Sequence, residues 1–139
     1  SLVGSEMCIR DSALRGEGEM FFRPMVMNNL YNQVRSYIWI DTSVENRKYG
    51  FKDGCSRLVE LDETIQLPAG YKLVSAAKDE TMQGVGADFE GSLVQKGNKV
   101  LLHNRLALKK RVYEASDWES FRNAVNAHKA YGEYLVIKK

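Results

Sequence analysis

The feature that most restricts the fold is the alternation in Arg57 to Ser75, RLVELDETIQLPAGYKLVS. Val59, Leu61, Ile65 and Leu67 recur at every second position, broken only by Glu63, while Glu60, Asp62, Thr64 and Gln66 fill the places between. A period of two puts alternate side chains on opposite faces, which predicts a strand with one buried and one wet side. Pro68-Ala69-Gly70 predicts a turn, because proline presets its first dihedral and glycine accepts a positive one. Tyr71, Leu73 and Ser75 then begin a second strand, so the stretch reads as a hairpin.

A clearer hairpin follows. Asp88 to Gln95 and Val100 to Lys109 flank a two-residue Gly97-Asn98 turn, a connection that suits strand twist. That turn sets Leu93 opposite Leu102, Gly91 opposite Asn104 and Phe89 opposite Leu106 on one face, leaving His103, Arg105, Lys109 and Arg111 wet. Further on, Ser116 and Glu119 have the spacing of a capping box. Trp118, Phe121, Val125 and His128 share a helical stripe, and Gly132 can end the helix. Glu133 to Lys139 (EYLVIKK) is a last strand. Upstream, Glu19 to Met27 is a strand limited by Pro24. Asn28-Asn29 marks a turn, Leu30 to Val34 a short helical turn or loop, Ser36 to Ile40 a strand, and Val44 to Ser56 and Ala76 to Gly86 loops. The expected class is mainly β (α+β): an antiparallel β-sandwich-like domain with one C-terminal helix followed by a last strand.

Residues 2–12 (LVGSEMCIRDS) resemble a translated transposon-type sequencing adapter, and such a segment is excluded before fold reasoning. The expected organisation is therefore an adapter-derived 1–12, without an evolved packing partner, and a single C-terminal β-rich domain over 13–139. A signal peptide would lie upstream. Setting aside Glu6, Arg10 and Asp11 changes 20 basic and 18 acidic residues to 19 and 16, a net charge of +3. That balance is too weak to imply a nucleic-acid partner, and no apolar run has the length of a membrane helix.

Little in the chain has the pattern of a catalytic or metal site. Cys55 sits in Gly-Cys-Ser-Arg leading into a strand, whereas a cysteine nucleophile needs a base within reach and gains from a helix N-terminus. His103 falls on the wet face of a hairpin. His128 ends the apolar stripe, where it packs by its ring or caps the last carbonyls as a cation. Two histidines and a cysteine without local spacing make no zinc site. Glu60 and Asp62 share a strand face as solvated pairs do, and Lys109-Lys110-Arg111 reads as a solvated strand end. Gly84-Val85-Gly86 lacks the helix a phosphate loop requires. No catalytic residue, metal or cofactor is expected.

LPAGYKL, the long hairpin, VYEASDWESFRNAV and the terminal YLVIKK together resemble the C-terminal domain of unknown function that closes many bacterial transglutaminase-like proteins, notably in the Bacteroidetes. Phe22-Arg23-Pro24 and Asn46-Arg47-Lys48-Tyr49 are similar to that family's short strand and arginine-aromatic segment, and Gly50 stands where the family usually has proline. The resemblance covers residues 17–139. It implies a noncatalytic accessory module following a papain-like Cys-His-Asp domain of the same parent chain, exported to the periplasm or cell surface. The alternative is a stand-alone carbohydrate- or peptide-binding domain using Tyr37, Trp39, Arg47 and Tyr49. A planar row of exposed rings would favour the alternative; an aliphatic patch would favour docking.

Overall fold

The computed structural model describes residues 2–8, 14–15, 18–25, 40–54 and 56–139. The expected Asn28-Asn29 turn, the Leu30 to Val34 segment, most of the Ser36 to Ile40 strand with Tyr37 and Trp39, and Cys55 lie outside them. In chain order the strands are β1 (Leu2–Cys8), β2 (Leu14–Arg15), β3 (Glu19–Phe22), β4 (Phe51–Lys52), β5 (Arg57–Gln66), β6 (Lys72–Leu73), β7 (Lys78–Gln83), β8 (Ala87–Lys96), β9 (Lys99–Leu108), β10 (Val112–Tyr113) and β11 (Leu135–Lys138). A 3-10 turn (Ala115–Asp117) leads into the helix α1 (Trp118–Ala130) between β10 and β11.

The alternating stretch is β5, and it buries Leu61, Glu63, Ile65 and then Leu67. Glu63, the break in the pattern, points inward with the apolar residues and is 1 % exposed. One of its carboxyl oxygens accepts the backbone N–H of Met25 at 2.9 Å, so the buried polar group meets a donor, as a polar group removed from water must. The β8–β9 hairpin has the expected register, with Phe89 paired to Leu106, Gly91 to Asn104 and Leu93 to Leu102. Gly97 supplies the positive φ (60°) that its two-residue turn needs, with glycine at the first central position.

These strands form a five-stranded sheet in the order β1-β5-β9-β8-β7, a four-stranded sheet β2-β3-β11-β6 and a two-stranded pair β10-β4. One apolar cluster joins both sheets to α1, through residues such as Phe22, Ile65, Phe89, Leu106, Phe121 and Ile137. The charged side of the larger sheet faces out. There Arg105 stands between Glu60 and Glu90, and the next row places His103 beside Asp62, with Nδ1 2.7 Å from the carboxylate. Opposite charges across neighbouring strands add a few tenths of a kcal/mol each.

Several expectations need correcting. The Pro68-Gly70 turn exists, with Gly70 at φ +82°, yet β5 does not pair with the strand after it. β6 pairs with β11 instead, so the turn carries the chain from one sheet to the other. The polar Ala76 to Gly86 segment is not all loop: β7 pairs with β8 from Lys78↔Leu93 to Gln83↔Asp88. It is an edge strand largely open to solvent, so it carries no apolar alternation to betray it, and its charges are of the kind that protect an edge. The expected Ser116–Glu119 capping box is replaced by one a turn earlier. Glu114 is the N-cap of the 3-10 turn and the Asp117 carboxylate accepts its backbone N–H at 2.9 Å, while Asp117, in the N-cap place of α1, makes no side-chain cap bond. Gly132 does not adopt a left-handed conformation; the end is tightened by Gly132 N–H donating to the Lys129 carbonyl at 3.0 Å.

Leu2–Cys8 runs parallel to β5 from Leu2↔Leu61 to Cys8↔Gln66, with a register shift between Val3 and Ser5. Every other strand pair among the described residues is antiparallel.

Candidate functional site

Four aromatic rings gather where α1 begins. Phe51 stacks on Tyr113 with centroids 4.7 Å apart and meets Trp118 edge-on at 5.3 Å. Phe121 meets Phe51 and Tyr113 at 5.0 Å each. Such offset and edge contacts suit the quadrupoles of the rings. Arg47 covers this cluster, its guanidinium 4.3 Å from the Trp118 centroid and 5.2 Å from that of Phe51. Its Nε is buried without a hydrogen-bond partner among the described residues, so ring faces supply the contact that water would otherwise give.

The segment carrying Arg47 is stitched to α1 by its own backbone. Trp118 Nε1–H donates to the Val44 carbonyl at 3.0 Å and Arg122 Nε–H to the Thr42 carbonyl at 3.0 Å. Lys129 Nζ donates to the Thr42 hydroxyl at 2.8 Å. These bonds explain how a stretch without periodicity is nevertheless placed. Tyr49 follows, 82 % exposed.

Two grooves flank the first turns of α1. One, of about 480 Å3, lies between Arg47 and Asn46 on one side and Trp118 and Arg122 on the other. The second, of about 550 Å3, lies between Met82 and Val85 and the helix. Ser116, Glu119 and Asn123 line both, so they form the ridge between them. Gly84 lets the β7–β8 connection come close: a Cβ there would lie 2.7 Å from that of Ser120. Gly86 does the same against Tyr113, whose ring would be 2.7 Å from an added Cβ. The Gly84-Val85-Gly86 sequence thus answers a packing need. Gly50 is also held close, since a Cβ would sit 2.6 Å from the Tyr113 carbonyl; proline would not fit there without backbone movement.

Charge at the ridge is fixed by local partners. The Glu114 N–H, and then the Lys110 ammonium, hold the Asp117 carboxyl below the usual carboxylate range; Lys110 Nζ is 3.0 Å away. Lys109 does the same for Asp88 from 2.7 Å.

The two histidines lie apart from this region. His103 is on the outer face of the larger sheet. His128 is 1 % exposed and its Nδ1 lies 2.6 Å from Asn104 Oδ1, so the neutral ring donates through Nδ1–H. Burial, with a smaller push from Lys129, brings its pKa down from 6.5 to about 4. Of the two roles open to His128, packing by the ring is the one found. The attraction of a helix C-terminus for a cation, up to ~1–2 kcal/mol, is the smaller effect. Among the described residues no three His, Cys, Asp or Glu side chains gather where they could hold a metal ion.

Of the four residues singled out for binding, Arg47 lines the first groove, though it lies on buried rings, and Tyr49 does not line it. Tyr37 and Trp39 fall outside the described residues. Arg122, Glu119, Asn123 and Val85 were not singled out. The first three lie on the polar side of α1, which the helical period marks as surface, but nothing in the sequence places residues 42–47 against that side. The exposed large apolar side chains are mostly aliphatic, among them Val85 (75 %) and Val112 (62 %). Tyr134, another exposed ring, has Arg23 4.3 Å above it.

Residues 18–136 match the family model for DUF3858, a domain of unknown function with solved structure, and the chain belongs to this family. Among curated proteins, none matches it. A crystal structure described as a "putative protease" from Parabacteroides distasonis is similar, with a TM-score of 0.71 at 13 % sequence identity. The likeness covers 99 % of this chain and 26 % of that one, so this chain spans about a quarter of the solved one. At that identity it is the fold that is shared.

Proposed function

We propose that this DUF3858 domain is a noncatalytic accessory module of a transglutaminase-like protein, and that it docks on or positions the Cys-His-Asp catalytic domain of the parent chain. The observation that carries this reading is the two-grooved surface beside α1. It offers the apolar side chains of Met82 and Val85 and the charged side chains of Glu119 and Arg122, which together suit a protein surface. The size of the similar solved chain supports the same division of labour. On this reading the isolated domain has no transglutaminase, protease or amidase activity, and the parent protein works in the periplasm or at the cell surface. No helix among the described residues is long and apolar enough to cross a membrane.

The test adds a transglutaminase-like domain, from a protein that also carries this family domain, to the purified chain. Docking predicts a raised melting temperature for either partner, abolished by Val85→Asp with Glu119→Arg. An unchanged melting temperature with a fully folded catalytic domain would refute it. Tyr49, 82 % exposed two positions after Arg47, favours a second reading, a glycan or peptide contact at this exposed ring. Calorimetric titration with oligosaccharides, lost in Tyr49→Ala, would support that one.

A further inference from the structure

β5 has two neighbours of different kinds. On one side β9, part of the hairpin, pairs with it antiparallel over all ten residues. On the other side lies β1, which the family-matched residues 18–136 do not include. Among the described residues β1 is the one strand paired in parallel, and a parallel neighbour cannot be reached by a tight turn. It therefore enters the sheet from outside the domain's own run of hairpins. The pairing runs along Leu61 to Gln66, where alternate backbone amides and carbonyls of β5 would otherwise be an open edge. The opposite edge, β7, is shorter and begins with Lys78, Asp79 and Glu80. The fold likeness to the longer solved chain covers 99 % of this one, so it cannot leave out the seven residues of β1.

We propose that the β5 edge is a strand-acceptor site, filled in parallel by the extended polypeptide leading into the domain from a preceding one. Its occupant is defined by conformation: about six residues, extended and free of proline, because the contact is made by backbone groups that every other residue possesses. The segment Leu2–Cys8, whose sequence resembles adapter rather than protein, occupies the place in this chain on those terms. In a longer protein the same pairing clamps the connecting segment against β5 and fixes how the domain leaves its neighbour. This rests on the accessory reading and gives it a mechanism, orientation through the linker.

The experiment follows amide hydrogen exchange by NMR in three full-length chains: unaltered, with residues 2–8 replaced by an alternating threonine-lysine sequence, and Glu6→Pro. The β5 amides that point toward β1 should be protected alike in the first two chains. In Glu6→Pro they should exchange about tenfold faster or more, as a locally opened pair does. Amides of the β8–β9 hairpin should stay protected in all three, which shows that the domain remains folded. Equal exchange at β5 in all three chains overturns the proposal. Loss of protection in the threonine-lysine chain also overturns it, since the site would then demand sequence. So does faster exchange at β8–β9 in Glu6→Pro, which would make β1 part of the core. If the added catalytic domain fails to raise the melting temperature while the β5 pattern holds, the docking reading fails and the acceptor site stands.

Discussion

Acidification should loosen this domain through one buried ring. His128 is neutral in the folded protein, with its pKa lowered from 6.5 to about 4 by burial and then by Lys129. Between those two values the unfolded chain binds a proton that the folded one does not, so stability is lost as pH falls through that window and is unaffected by this group above it. At roughly 1.36 kcal/mol per pKa unit, the full loss is about 3 kcal/mol, or on the order of 10 °C in melting temperature for a domain of this size. Urea titrations at pH 7, 6, 5 and 4 should show the decline. Carboxylates contribute to the acid end, so the comparison is with His128→Gln, whose stability should fall less between pH 6.5 and 4. The NMR titration of the His128 ring gives a second readout that needs no variant. A ring titrating near 6.5 in the folded protein, or identical pH slopes for the two chains, would refute the reasoning.

Gly70→Val should cost about 1–3 kcal/mol. Nothing lies within 4 Å of an added Cβ there, so equal stability in denaturant would mean that φ is not positive. Leu106→Ala should cost roughly 2–5 kcal/mol, since Leu106 is fully buried in the sheet–helix core; a loss under ~1 kcal/mol would place it elsewhere. Arg47→Ala should cost about 1 kcal/mol and change Trp118 fluorescence, and unchanged emission would contradict the stacking. Gly84→Val should lower the melting temperature, because its side chain must displace Ser120 or the Ala87 carbonyl; Gly54→Val, with open space around it, is the comparison for glycine loss alone.

What the sequence disclosed followed from strong local periods. β5 and the β8–β9 register were legible because burial on one face and a Gly-Asn turn agreed. Glu63 looked like an interruption because its partner, the Met25 N–H, is 38 residues away. β7 was hidden for the opposite reason: a solvent-exposed edge has no apolar alternation. The Pro68-Gly70 turn was readable as a turn, but its destination was not, since pairing β6 with β11 depends on contacts across more than sixty positions. The grooves were the least legible part. Arg47 and Tyr49 stood out by type, yet their setting is made by carbonyls of Thr42 and Val44 reaching side chains of α1, and backbone acceptors carry no residue signature.

The antiparallel pairing of β3 with β11 has a mechanical consequence. Glu19 lies opposite Lys138, with Lys138 Nζ 3.7 Å from the Glu19 carboxylate, so the first and last strands of the family-matched stretch leave the fold side by side. Tension applied across those two points loads the pair one backbone bond at a time, as a zipper opens, rather than shearing all its bonds together. The four-stranded sheet is therefore the first to part under load. The same closeness makes the unit suitable for insertion into a surface loop of a host protein, because a loop of ordinary span already brings two chain ends together.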